Sequence, residues 1–123
     1  MNRTFLLIGA FSGFIAVALG AFGAHGLRAR LSPEMLAVFE TGVRYQMYHT
    51  LAILFVAVAA ARFDGWIVNG AGWAFTLGIL IFSGSLYALA LTGVTMLGAI
   101  TPIGGLAFIV GWGLLVVAAV TLF

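Results

Sequence analysis

The sequence has no cysteine, no lysine and only three acidic residues, Glu34, Glu40 and Asp64. Without cysteine there is no disulfide, no thiolate nucleophile and no thiolate metal site, and the redox compartment leaves no trace. Charged side chains are 7% of the 123 residues, where a soluble domain carries about 25%. A chain so poor in charge cannot cover a water-facing surface. Its five arginines, Arg3, Arg28, Arg30, Arg44 and Arg62, are scattered, and none follows position 62. The net charge of +2 is therefore no basic patch, and no nucleic-acid partner is expected. No Gly-rich phosphate loop ending in Gly-Lys-Ser/Thr occurs, and no Ser-His-acid set can be assembled with a buried acid. No catalytic residue is assigned, and an enzyme is not the expected class.

What is present is hydrophobic. Residues of the apolar types make up 64% of the chain, gathered into four stretches of a length suited to crossing a bilayer: 4–24, 45–61, 69–91 and 102–123. The expected fold is all-α: an integral membrane four-helix bundle, with the lipid bilayer as its solvent. The first stretch, preceded by Arg3, is read as a retained helix rather than a signal peptide. Ser32 and Thr101 are candidate N-caps, each followed by a proline, Pro33 and Pro102, at the first helical position. Glu34 then lies near the positive end of the helix dipole. Even spacing of four spans puts both termini on one side, and the arginines do not decide which.

Lipid tails are as apolar as leucine, so transmembrane helices associate through close backbone approach, which needs small side chains. Gly9, Gly13, Ala16, Gly20 and Gly23 recur at spacings of four and three along the first stretch. Gly78, Ser83 and Ser85 serve the third, and Gly104 and Gly105 the fourth. Their expected use is packing within the bundle, with a partner subunit or a second copy as the sharper alternative.

The polar residues concentrate in "VRYQMYHT", Val43 to Thr50. The preceding segment from Pro33 is amphipathic and predicts a short interfacial helix leading into the second span, with Gly42 as a place to bend. Glu40 and Arg44 are four apart in the acid-first order that favours a helix pair. On this reading Tyr45, Tyr48 and Arg44 anchor at headgroup depth, on the same half of the helix as His49, while Gln46 and Thr50 point elsewhere. His25 ends the first span and His49 begins the second, so the hairpin returns both to one membrane face. That makes His25, Arg44, Tyr45, Gln46, Tyr48 and His49 the candidate ligand or partner face. Two histidines permit haem ligation in geometry alone; zinc needs further ligands, with only Glu40 nearby. The reading assigns no metal and no cofactor.

Four motifs in order, "GAFGAHGL" (20–27), "YQMYHT" (45–50), "FSGSLY" (82–87) and "GAITPIGGLAFIVGW" (98–112), resemble the domain-of-unknown-function 423 family. Its members are small four-helix proteins of bacterial inner membranes, with a related short transmembrane protein in animals. The resemblance covers essentially the whole chain. It implies four spans and places His25, Arg44, Tyr45, Gln46, His49, Ser83, Ser85, Thr101 and Pro102 at signature positions, but implies no reaction, substrate or cofactor. The resulting expectation is a non-enzymatic accessory or scaffolding subunit of the inner membrane, within a larger complex or a homo-oligomer. The alternatives are an oligomeric transporter or pore using the His25/His49 face, and a haem- or lipid-binding protein.

Overall fold

The computed structural model describes residues 2–122. Among them there is no strand, and the chain forms four helices: α1 Arg3–Leu27, α2 Pro33–Ala59, α3 Trp66–Thr92 and α4 Leu97–Thr121. Helices α1, α3 and α4 are long and apolar enough to cross a membrane; at 1.5 Å per residue they measure about 37–41 Å, against a hydrocarbon core of about 30 Å. Helix α2 is as long but carries the polar cluster, and it packs among the other three.

The helix ends follow local chemistry. Ser32 Oγ accepts from the Met35 amide at 3.1 Å and Pro33 takes the first position of α2, as expected. Asn2 does the same for α1, its Oδ1 accepting from the Phe5 amide, while its own amide donates to Ala57 O at the far end of α2. Gly93, in the left-handed conformation with φ 72°, closes α3 and donates to Leu89 O. Residues 93–96 then turn tightly, with amides of Leu97, Gly98 and Ala99 bonding three residues back.

That turn corrects the expected start of the fourth helix. Thr101 and Pro102 do not cap it but lie inside it, because the chain is already helical from Leu97. Pro102 falls in the second turn, where its missing N–H leaves the Gly98 carbonyl without its usual donor. The Thr101 hydroxyl bonds instead to Leu97 O and to Ser85 Oγ on α3, the latter at 2.6 Å. The far boundary expected at Phe123 lies outside the described residues.

The amphipathic segment from Pro33 and the second apolar run form one unbroken helix, so α2 begins well before Tyr45. Phe39 and Gly42 are buried in it. Gly42 is not a bend: a Cβ there would stand 2.7 Å from the Tyr87 ring, and the absence of one lets that ring approach.

The glycine stripe of α1 turns onto α2. Gly9 faces Leu54, Gly13 faces Thr50, Gly20 faces Val43, Gly23 faces Phe39, and Ala16 is buried. Across the bundle, Gly78 admits the Phe108 ring and Gly111 the Phe75 ring, while Gly104 meets the backbone of Phe82. Gly105 is looser, 3.9 Å from the Phe82 ring. Phe5, Ile53, Val56, Val68, Phe75 and Phe108 fill the centre.

Two helices contain a π turn, Leu19–Gly23 in α1 and Ile79–Ser83 in α3. Both lie at one level, on either side of α2: Gly20 packs on Val43, and Ser83 Oγ donates to Gly42 O at 2.7 Å. Such turns carry one extra residue and re-aim the side chains that follow.

Candidate functional site: a polar seam in the middle of the bundle

Because α2 starts at Pro33, "VRYQMYHT" sits in the middle of a helix rather than at its mouth. Arg44 lies eleven residues beyond Pro33, about 16 Å along the axis. The cluster divides by face. Gln46, His49 and Thr50 are buried, while Arg44 and Tyr48 are exposed and Tyr45 lies at the edge. The expected half-turn grouping is thus recut: Gln46 and Thr50 join His49 inside, and Arg44 and Tyr48 look outward.

Gln46 ties three helices. Its Nε2 donates to Ser12 O at 2.9 Å and approaches Ser12 Oγ at 3.2 Å, and its Oε1 accepts from Tyr87 OH at 2.6 Å. Ser12 Oγ shares a further bond with Thr50 Oγ1 at 2.7 Å. One amide therefore links α1, α2 and α3, and it satisfies its donor and acceptor ends at once. Ser83 and Ser85 extend the seam to Gly42 O and Thr101. Every buried side-chain nitrogen or oxygen among the described residues has a hydrogen-bond partner, as a medium without water demands.

His49 is fixed at both ring nitrogens. Trp112 Nε1 approaches its Nε2 at 3.1 Å. An indole N–H can only donate, so Nε2 is the acceptor and the ring hydrogen sits on Nδ1, directed at Tyr45 O at 2.7 Å. The imidazole is neutral and lies flat on Phe108, with centroids 3.5 Å apart and planes within 6°. No lone pair of this ring is free for a metal.

His25 is not brought to it. It is exposed in the last turn of α1. With Gly23 against Phe39 and Gly20 against Val43, His25 stands level with about Ala37, roughly three turns or 18 Å from His49 along α2. The shared His25/His49 face is therefore not formed, and neither is a bis-histidine site. Among the described residues no three His, Asp or Glu side chains gather into a metal-binding group. Arg44 and Glu40 pair at 3.8 Å on the surface.

Beside His49 a groove of about 590 Å³ opens between α2, α3 and α4, lined chiefly by Tyr45, His49, Phe82, Pro102, Phe108 and Trp112. Its walls are almost wholly apolar and aromatic. Reasoning from the chain alone missed Ser12, Phe108 and Trp112 as members of the site, since nothing in an apolar span marks which residue will face a distant helix.

A family model described as Protein of unknown function (DUF423) matches residues 19–105, which hold both π turns and all of the seam except Ser12 and Trp112. The chain belongs to the DUF423 family. It is 50% identical over 119 residues to the UPF0382 membrane protein YwdK of Bacillus subtilis, covering 96% of this chain and 97% of that one. It is 48% identical to the UPF0382 membrane protein SAB0533 of Staphylococcus aureus and 49% identical to SERP0230 of Staphylococcus epidermidis, each over 94% of both chains. No solved structure matches it. Within this DUF423 chain, the matched region ends in α4 just before Phe108, so the rings that hold His49 lie beyond it while the Gln46 knot lies inside.

Proposed function

We propose that this DUF423 protein is a non-enzymatic accessory subunit of the bacterial inner membrane, acting through the packing of its outer helical surfaces. The observation that carries the reading is the state of the interior. Gln46, Ser12, Thr50, Tyr87, Ser83, Ser85, Thr101 and His49 are all bonded to one another or to backbone. A reaction centre keeps groups ready for substrate; this interior uses its polar groups to hold four helices in one arrangement. Extraction of native membranes into lipid-polymer discs tests the role. A complex of defined composition containing a second polypeptide supports it; discs holding this chain and no other polypeptide overturn it.

The aromatic groove at His49 favours a second reading, a lipid-ligand-binding protein, since its volume suits a hydrocarbon ligand. A lipid retained at a fixed ratio by the purified protein, and lost in Trp112→Ala, distinguishes that reading from bulk lipid contact.

A further inference from the structure

The outward side of α2 differs from the other lipid-facing surfaces. Thr41, Arg44, Tyr48, Leu51, Phe55 and Val58 follow one another at spacings of three and four, Thr41 half-buried and the rest exposed. On α4, Ile103, Leu106, Val110, Gly113, Val117 and Val120 repeat the same geometry, but every residue is apolar or glycine, as lipid requires. The α2 stripe instead has Arg44 at its centre, Glu40 on its flank, and Tyr45 and Tyr48 beside them. The α2 register puts Arg44 level with Leu19, about 12 Å inside the end of α1. At that depth the guanidinium has one loose contact, 3.8 Å to Glu40. The Tyr45 and Tyr48 hydroxyls make no hydrogen bond with the described residues.

We propose that this stripe is an interface between two copies of the chain, α2 against α2, about a two-fold axis along the membrane normal. The occupant follows from charge. An acid and a base four residues apart make the stripe self-complementary: Arg44 of one protomer reaches Glu40 of its partner, and the reverse contact forms by symmetry. The four charges sum to zero, and the carboxylates offer acceptors to the tyrosine hydroxyls. An anionic headgroup would meet Glu40 together with Arg44, and an acyl chain would leave donors unpaired in hydrocarbon. The proposal rests on the accessory-subunit reading only in using an outer helical surface.

The absence of native cysteine makes single-cysteine cross-linking clean. The full chain carrying Tyr48→Cys, Leu51→Cys or Phe55→Cys is oxidised in native membranes beside α4 controls Leu106→Cys and Val117→Cys. The expected product is a species of twice the 12.9 kDa chain mass. Its yield on α2 should exceed the controls at least about tenfold, as facing thiols at high effective concentration require. Adding Arg44→Glu to Phe55→Cys should drop the yield to control level, and adding Glu40→Arg as well should restore it. Equal yields on the two helices overturn the proposal, as does an exchanged pair that restores nothing. A stripe linked to a different polypeptide removes the second copy but upholds the accessory role. A homodimer in discs that hold no other polypeptide upholds the interface and removes that role.

Discussion

The seam between α1 and α2 and the seam between α3 and α4 both depend on glycine, yet they differ in what the glycine meets. On α1 the neighbours are side-chain ends: Leu54 methyls at Gly9, the Thr50 methyl at Gly13, the Val43 methyl at Gly20. On α4, Gly104 meets the main chain of the Phe82 turn, and Gly111 meets a Phe75 ring held by the centre of the bundle. Side-chain ends can rotate away from an added methyl; backbone cannot. The first seam is adjustable and the second is rigid, although composition alone ranks the α1 stripe as the more obvious packing motif.

Substitutions sharpen the contrast. Gly104→Ala should have the largest effect, about 3 kcal/mol of stability lost through overpacking against backbone, read by denaturant or thermal unfolding in detergent. A variant as stable as the parent would falsify the rigid seam. Next comes Gln46→Leu, which strands the Tyr87 hydroxyl and removes the donor to Ser12, at a cost of about 1–2 kcal/mol; Gln46→Glu keeps the acceptor for Tyr87 and tells the two losses apart. Gly9→Ala should cost about 1 kcal/mol or less, since Leu54 can turn aside, and a loss equal to that of Gly104→Ala would erase the difference between seams. Smallest is Gly113→Ala. Nothing lies within 4 Å of its added methyl, so helix propensity should stabilise by up to about 0.5–1 kcal/mol, and any large loss there points to a partner on α4.

The sequence and the structure agree where a local rule has no competitor. Ser32 and Pro33 cap α2 because residues 28–32 form a loop with no other helical continuation, and the α1 stripe meets α2 because a hairpin leaves it little else to meet. The same Thr-Pro pairing misleads at 101–102, where the left-handed Gly93 has already turned the chain and allowed helix to begin at Leu97. Hydropathy starts the second span at Tyr45 because it scores Gln46, His49 and Thr50 as though each faced its solvent alone. Their partners, Ser12, Tyr87 and Trp112, lie 34 to 63 residues away in the chain. That pairing is a tertiary fact, and it decides which half of the cluster is interior. The separation of His25 from His49 has the same origin: it follows from where α2 begins.

The π turn at Ile79–Ser83 has a consequence for how the chain tolerates length changes. Removing one residue there would return the segment to ordinary helical winding and rotate everything after it by about 100°. Ser85 would swing away from Thr101, and Tyr87 away from Gln46. The lower and upper halves of α3 are thus kept in phase by a single surplus residue. Its hydropathy is irrelevant to that task; its presence in the count is what matters.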